Sequence, residues 1–147
     1  MKEIDDPNSL AGFIEKCRQN SLKITPQRTA IFKTLTEAKN HPSADIVYQE
    51  VRAGFPNISF DTVNRTLMTF AEIGIIDLVE GRGYPRRFDP NLTPHHHFYC
   101  VHCGKIRDFY IRDMDQIELP EDIVQKFSII SKRLVLNGYC DQCKKEG

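Results

Sequence analysis

Four segments in the first half of the chain carry apolar residues at the three- and four-residue spacing of an amphipathic helix. Each segment follows a residue whose side chain can cap a helix N-terminus. The four capping residues are Ser9, Thr25, Ser43 and Ser59. Pro26 suits the first turn of the second helix, and Gly74 is predicted to end the fourth helix at Ile73.

Two short strand-like runs, 75–80 and 86–89, follow the fourth helix and flank a glycine-containing turn at 81–85. Short helices that lead into a glycine-tipped hairpin are typical of a winged helix-turn-helix domain, in which the hairpin is the wing. We predict that this domain spans residues 1–89. Residues 90–94 begin and end with proline, and we predict that they form a hinge.

The second half of the chain, residues 95–147, shows strand-like runs at 95–101, 105–111 and 129–137 and a helix that begins near Pro120. This pattern predicts a small C-terminal α/β domain, so the whole chain is expected to be α+β in class. Domains this short usually need a bound metal or a partner chain. The apolar strands therefore predict a homodimer.

Charge is balanced, with 20 Lys and Arg against 20 Asp and Glu in the chain of 147 residues. Net charge therefore gives no reason to expect nucleic-acid binding, and such a prediction depends on local pattern. No apolar run approaches the roughly 18–20 residues that a membrane helix needs. The acidic N-terminal residues lack the apolar core of a signal peptide, so we expect a cytoplasmic protein with no membrane partner.

Four of the five cysteines form two Cys-X-X-Cys pairs, Cys100 with Cys103 and Cys140 with Cys143. Cytoplasmic thiols stay reduced, and two such pairs supply the four ligands of a tetrahedral structural Zn²⁺ site. A redox dithiol or a disulfide pair is the alternative, although a redox Cys-X-X-Cys normally occurs once. Cys17 lies in the apolar pattern of the first helix and is predicted to be a packing residue.

The helix predicted from Ser59 to Ile73 is the candidate for DNA recognition. Its apolar face packs inward and leaves Thr62, Asn64 and Arg65 outward near the N-terminal end, which leads into the major groove in such domains. Asn can pair with adenine, and Arg with guanine or phosphate. The alternative is an ordinary solvated helix face.

Basic residues elsewhere in the first half favour the DNA-binding interpretation. Residues 16–33 carry five Lys or Arg and no acidic residue. Arg82, Arg86 and Arg87 cluster on the proposed wing, where phosphate contacts are expected. We therefore predict a double-stranded DNA partner. The residues predicted to contact it are Arg28, Thr62, Asn64, Arg65 and Arg82.

Three consecutive histidines lead into the first strand of the second half. Side chains two residues apart share a face of a strand, so His95 and His97 point together and His96 points away. If the next strand folds back antiparallel, Asp108 falls opposite His97. We interpret these residues as metal ligands. A solvated or tag-like histidine run is the alternative.

Two further donors, Asp89 just before the hinge and His41 in a loop of the first domain, could reach the same spot. The whole set would contain three imidazoles, two carboxylates and no thiolate. Such a set suits Fe²⁺ or Mn²⁺ better than it suits a soft-ligand zinc sensor site.

These motifs together resemble the ferric uptake regulator family. The similar segments cover nearly the whole chain in order: Ile24-Thr25-Pro26-Gln27-Arg28, His41-Pro42-Ser43-Ala44-Asp45, Thr62-Val63-Asn64-Arg65-Thr66-Leu67, Arg87-Phe88-Asp89, His95-His96-His97-Phe98-Tyr99-Cys100 and Cys103-Gly104-Lys105. The resemblance implies a dimeric, metal-dependent DNA-binding repressor that acts on a palindromic operator. It implies structural zinc at the four paired cysteines and a regulatory ion that bridges the domains. The implied regulatory ligands are His41, Asp89, His95, His97 and Asp108.

Within the family, the chain is most similar to the peroxide-sensing branch, which carries Asp at the position of Asp108 where iron sensors usually carry Glu. That branch implies that peroxide and bound Fe²⁺ oxidise His41 and His95, which releases the repressor. Iron sensing is the alternative. Asn64 replaces a Tyr usual in the recognition helix. Lys132 replaces a His that often belongs to a further metal site, so that site is not expected here.

Two functions from other classes fit parts of the pattern. A non-haem iron enzyme also uses two histidines and a carboxylate, but no second catalytic constellation accompanies them here. A structural zinc-ribbon adaptor would need only the cysteines, and the His/Asp set would then be incidental. We expect a regulator and not an enzyme.

Overall fold

The computed structural model describes residues 9–38, 41–79 and 86–144. The chain divides into two compact units, Met1–Leu92 (unit 1) and Thr93–Gly147 (unit 2). Helices and sheets are mixed along the chain, which confirms the predicted α+β class. No helix within the described ranges is long and apolar enough to span a bilayer.

Four helices make up most of the described part of unit 1. They are α1 (Leu10–Gln19), α2 (Pro26–Glu37), α3 (Ala44–Val51) and α4 (Phe60–Glu72). Each begins directly after the capping residue that the sequence predicts. The hydroxyl oxygens of Ser9, Thr25 and Ser59 accept hydrogen bonds of 3.0, 3.1 and 3.0 Å from the N–H groups three residues further on. Local capping therefore explains where three of the four helices begin.

Ser43 stands at the cap position of α3, but among the described residues its side chain makes no capping hydrogen bond, so that detail of the prediction is wrong. Its backbone pairs with a distant segment instead, because Ser43 forms a β-bridge with Arg87. Beside this bridge, the N–H of Phe88 donates to the carbonyl of Pro42 at 3.0 Å. This long-range pairing leaves no trace in the local pattern.

Two short strands follow α4. β1 (Asp77–Leu78) pairs antiparallel with β2 (Phe88–Asp89), so both strands are shorter than the predicted runs. The ladder extends a little further through the N–H of Val79, which donates to the carbonyl of Arg87 at 2.9 Å. The predicted turn at 81–85 lies outside the described residues.

The core of unit 1 is formed by the inward faces of the helices and of β2. Phe13 and Phe32 stack with their ring centroids 4.4 Å apart, and Phe70 meets Phe13 edge-on at 5.5 Å. Phe88 joins the same cluster from the strand. Cys17 is fully buried here, which confirms it as a packing residue, and burial raises the pKa of its thiol.

The described part of unit 2 is built on a three-stranded sheet in the order β4-β3-β5. The central strand is β3 (His96–Cys100), with β4 (Ile106–Phe109) antiparallel and β5 (Val135–Gly138) parallel to it. A 3-10 helix (Met114–Gln116) and α5 (Glu121–Lys126) connect β4 to β5. The predicted antiparallel return and the predicted helix are confirmed.

The third strand of unit 2 begins later than predicted, at Val135 and not at Ile129. Its first pairing is with His97, one residue after β3 begins. Just before it, the N–H of Leu134 donates to Nδ1 of His96 at 2.9 Å and not to a strand backbone. The carbonyl of Leu134 accepts a hydrogen bond of 3.3 Å from the N–H of His97. In the register of the parallel pair, residues 129–133 fall before the beginning of β3, so the described sheet offers them no strand with which to pair.

Large apolar side chains remain on the surface of unit 2. Ile130 is 97% exposed, Phe127 61% and Val124 54%. A unit this small cannot enclose them, and an exposed apolar surface of this kind is typical of a protein interface.

Candidate metal centres

The four paired cysteines converge in unit 2. Each Cys-X-X-Cys pair lies on a tight turn: Gly104 N–H donates to the carbonyl of Cys100 at 2.9 Å, and Cys143 N–H to that of Cys140 at 3.1 Å. Gly104 has a φ of 80°, which glycine adopts without strain. All four Sγ atoms lie within 4.8 Å of one another.

The sulfur spacing fits a zinc ion. Sγ of Cys103 and Sγ of Cys140 are 3.8 Å apart. Four thiolates about 2.3 Å from a tetrahedral ion would lie about 3.8 Å from each other. The donor set and its spacing are therefore compatible with a structural zinc site.

Backbone N–H groups of the two turns favour the thiolate form of two cysteines, and the thiolate is the form that binds such an ion. The N–H of Cys103 is the main reason that the pKa of Cys100 is lowered to about 6, and the N–H of Cys143 lowers the pKa of Cys140. A shared hydrogen bond with Cys140 raises the pKa of Cys143 to about 12. A cation that neutralises the cluster lets all four sulfurs ionise together.

A second group of donors, His95, His97 and Asp108, converges elsewhere in unit 2. The Nε2 atoms of the two histidines are 3.0 Å apart. Oδ1 of Asp108 lies 3.4 Å from Nε2 of His97 and 3.9 Å from Nε2 of His95. Two nitrogen ligands at right angles, each about 2.1 Å from an ion, would be about 3.0 Å apart, so the spacing fits metal ligation.

The strand register explains how these three residues meet. His97 pairs directly with Asp108 across β3 and β4, which confirms the predicted register. His95 and His97 are buried on one side. His96 points away, as predicted, and its Nδ1 accepts the hydrogen bond from Leu134. Burial, followed by the charge of Arg133, lowers the pKa of His96 and keeps its ring a neutral acceptor.

The backbone carbonyl of Thr93 selects the ring nitrogen that His95 presents to the other donors. Nδ1 of His95 lies 2.6 Å from this oxygen. A carbonyl can only accept, so Nδ1 carries the proton and Nε2 keeps its lone pair for a metal. Sequence reasoning missed this contact, because a backbone carbonyl leaves no signal in residue type.

A smaller pair of donors, His41 and Asp89, lies in unit 1. Nε2 of His41 is 3.2 Å from Oδ2 of Asp89, and both residues are buried. Oδ1 of Asp89 accepts a hydrogen bond of 2.9 Å from the N–H of Asn91. His41 has a φ of 46°, in the left-handed region that non-glycine residues adopt at a cost and often at functional sites. The two units thus hold all five predicted regulatory ligands, in two sets.

The residues predicted to contact DNA lie in unit 1. Thr62 and Arg65 are exposed on α4, and Asn64 is half-buried. Nε of Arg65 pairs with Oδ2 of Asp61 at 3.0 Å, one helical turn away. Arg28 is half-buried, and its guanidinium donates to the carbonyl of Lys23 at 2.5 Å. Arg82 lies outside the described residues.

Three comparisons with known proteins give one answer. The model of the ferric uptake regulator family matches residues 19–137. The chain belongs to this family. The peroxide-responsive repressor PerR of Staphylococcus epidermidis is 38% identical over 140 residues, which cover 95% of this chain and 93% of the relative. The resemblance drawn from the sequence motifs is therefore confirmed.

Solved structures of the family share the fold. The ferric uptake regulator Fur of Helicobacter pylori, described with three functional metal-binding sites, aligns with a TM-score of 0.76 and 25% identity over 98% of this chain and 97% of that one. PerR of Streptococcus pyogenes, described in terms of peroxide sensing and gene regulation, aligns with a TM-score of 0.50 and 28% identity over 90% and 91%. The chain is a metal-dependent regulator of this family.

Proposed function

We propose that this regulator is a repressor that binds a palindromic DNA operator as a metal-loaded homodimer and leaves it when peroxide is present. The observation that carries the proposal is the thiolate-free donor set, because imidazoles and carboxylates suit Fe²⁺ or Mn²⁺. Relatives named peroxide-responsive repressors support the choice of signal.

In this proposal each part of the chain has a separate function. Residues 1–89 bind DNA, residues 90–94 act as a hinge, and residues 95–147 form the dimer. Structural Zn²⁺ is held by Cys100, Cys103, Cys140 and Cys143. Pairing of two chains covers the exposed apolar residues of unit 2, such as Ile130 and Phe127.

We propose that His41 and Asp89 share one regulatory ion with His95, His97 and Asp108. Only five residues separate Asp89 from His95, and these six residue steps limit the distance between their Cα atoms to about 20 Å. Ligands contributed by both units favour the arrangement in which the units are held together. If that arrangement spaces the two recognition helices of a dimer for two half-sites, metal binding raises DNA affinity.

The recognition helix of the proposal is α4, with Thr62, Asn64 and Arg65 near its N-terminal end. Arg28 and Arg82 would contact phosphates. Arg65 is paired with Asp61, so a DNA phosphate or base must compete with that carboxylate. We expect Arg65→Ala to weaken binding to any DNA, and Asn64→Ala to relax preference at one base pair by about 1–3 kcal/mol.

The test uses an operator selected from random-sequence DNA with the wild-type, Mn²⁺-loaded dimer. Affinities of both variants are then measured on this operator and on scrambled DNA at several salt concentrations. Equal losses on both DNAs for Asn64→Ala would show that Asn64 reads no base.

Peroxide sensing in this proposal depends on the ligand imidazoles. Bound Fe²⁺ would supply the first electron that cleaves the O–O bond of hydrogen peroxide. One oxygen atom would then be added to a ring carbon of His41 or His95, where a carbon–oxygen bond replaces a carbon–hydrogen bond, and the other oxygen would leave as water. The ring supplies both electrons of the net reaction, since the electron first given by the iron returns to it when the ring is oxidised. The altered ring is a poorer ligand, so the units are no longer held together and the repressor leaves DNA. Cys17 is buried and the other thiols serve zinc, which leaves the imidazoles as the nearest targets.

Mass spectrometry of peptides that contain His41 and His95, after peroxide treatment of the Fe²⁺ and Mn²⁺ forms, tests this mechanism. We expect one added oxygen and loss of DNA binding in the iron form alone. Release without histidine oxidation, or with cysteine oxidation and zinc loss, would contradict the mechanism.

Iron sensing is the second candidate, because the ferric uptake regulator Fur of Helicobacter pylori shares the fold of this chain. An iron sensor would respond to Fe²⁺ concentration, and peroxide treatment of its Fe²⁺ form would leave His41 and His95 unoxidised. The peroxide experiment therefore separates the two candidates.

A further inference from the structure

Two side chains of the extended segment 87–89 contact His41 in unit 1. Side chains two residues apart in extended backbone share a face, so Arg87 and Asp89 lie on one face and Phe88 on the other. Phe88 is 1% exposed and packs in the apolar core, which fixes the orientation of the segment.

The two contacts with His41 are of different kinds. Nε–H of Arg87 donates to the backbone carbonyl of His41 at 2.8 Å, across 46 residues of sequence. Oδ2 of Asp89 lies 3.2 Å from Nε2 of the His41 ring. Arg87 thus contacts the backbone of His41, and Asp89 contacts Nε2 of its ring.

The neighbouring backbone is tied to the same segment. Ser43 and Arg87 form a β-bridge, and Phe88 N–H donates to the Pro42 carbonyl at 3.0 Å. His41 itself has a φ of 46°, which costs free energy for a residue with a side chain. A contact that fixes the peptide plane at this residue determines the direction in which the imidazole leaves the backbone.

We propose that Arg87 is a positioning residue for the regulatory metal, acting through His41. This inference rests on the proposed function, because it takes His41 to be a ligand of the regulatory ion. Arg87 is half-buried and its guanidinium is a permanently charged donor, so its bond to a carbonyl is stronger than that of a neutral donor. Groups that orient a metal ligand typically change metal affinity by about 10–100-fold when they are removed. The role differs from the phosphate contact that the sequence assigns to the arginines of the wing.

The test measures Mn²⁺ affinity by isothermal titration calorimetry on the zinc-loaded full-length protein. The variants are Arg87→Ala, Arg87→Lys, His41→Ala and the double variant with alanine at both positions. Arg52→Ala is the matched control: it removes an arginine from the same unit, but its guanidinium lies over the ring of Tyr48, 5.5 Å from the centroid. Thermal unfolding of each metal-free variant reports folding.

We expect Arg87→Ala to weaken Mn²⁺ binding by about 10–100-fold and Arg52→Ala to leave it unchanged. Arg87→Lys, which keeps a charged donor, should recover part of the loss. Since Arg87 acts through His41, the double variant should bind Mn²⁺ as His41→Ala does. The Co²⁺ absorption spectrum of Arg87→Ala should differ from that of wild type, because it reports the geometry of the ligands.

Wild-type Mn²⁺ affinity in Arg87→Ala would overturn the inference, and so would losses that multiply in the double variant. If Arg87→Ala does not fold, the Mn²⁺ affinity of Arg87→Lys is compared instead, in the wild-type and in the His41→Ala backgrounds. If the wild-type protein binds no Mn²⁺ beyond its zinc, the proposed function itself fails. If wild type binds Mn²⁺ and only the effect of Arg87 is missing, the proposed function stands and the inference fails.

Discussion

The two candidate metal centres are built in opposite ways. The four cysteines lie on two tight turns of one unit, each pair separated by two residues, and the turns supply N–H groups that stabilise thiolates. The histidines and aspartates of the proposed regulatory site lie in two sets, one in each unit. Arg87 contacts His41 across 46 residues of sequence, whereas the carbonyl that contacts His95 is two residues away. The first arrangement suits an ion that stabilises the fold of one unit. The second suits a regulatory ion, because ligands from both units can bind one ion together only in some conformations of the protein.

The largest expected effect is the loss of the zinc centre. Cys103→Ser or Cys140→Ser should release zinc and unfold unit 2, since the binding energy of a structural zinc is folding energy on the order of 10 kcal/mol. The dimer should dissociate as well. Zinc content, circular dichroism and sedimentation measure these outcomes, with His97→Ala as the control that keeps the cysteines. A zinc-free variant that remains a folded dimer would contradict the expectation that zinc stabilises unit 2, and the two centres would then not differ in this respect.

His97→Ala should affect regulation and spare the fold. Its Nε2 lies 3.0 Å from that of His95 and 3.4 Å from Oδ1 of Asp108, so its loss removes the middle of the donor group in unit 2. We expect metal-stimulated DNA binding to fall by at least about 100-fold, beyond the effect of losing an orienting contact. Zinc content and dimerisation should match wild type. Unchanged stimulation by Mn²⁺ would exclude His97 as a regulatory ligand.

Chelators should distinguish the two centres without any mutation. Four thiolates in one closed site hold zinc tightly, whereas imidazole and carboxylate ligands hold Fe²⁺ or Mn²⁺ less tightly. Graded addition of EDTA to the fully loaded protein should first abolish DNA binding and leave the dimer intact. Loss of the dimer should follow only when zinc is removed. Metal analysis at each step checks the order, and simultaneous loss of both metals would contradict it.

The smallest expected effect is a difference between the two carboxylates. The side chain of Asp89 is 3% exposed and that of Asp108 is 30% exposed, so solvent screens the charge of Asp108 more. Asp89→Asn should therefore weaken Mn²⁺ binding more than Asp108→Asn does, by about tenfold or 1.4 kcal/mol. Calorimetric titration of both variants measures the difference. A larger loss for Asp108→Asn would place the stronger electrostatic interaction in unit 2.

Features that depend on neighbouring residues were readable from the sequence. The beginnings of α1, α2 and α4 were predicted because a hydroxyl side chain bonds to an N–H three residues away. The pairing of His97 with Asp108 was predicted because a tight turn fixes the register of the strands that it joins. The four cysteines were predicted to be zinc ligands for a similar reason, since the spacing within a Cys-X-X-Cys pair places both thiols on one turn.

Features that depend on distant contacts were decided by tertiary structure. β5 begins at Val135 because that is where β3 can pair with it, although the apolar pattern begins six residues earlier, at Ile129. Ser43, directly before α3, forms a bridge to Arg87, and its side chain makes no capping hydrogen bond. The contact of Arg87 with His41 spans 46 residues. Residue types alone predict the ligands of the proposed regulatory site, but the direction in which a candidate ligand points also depends on contacts with backbone groups, which carry no signature in the sequence.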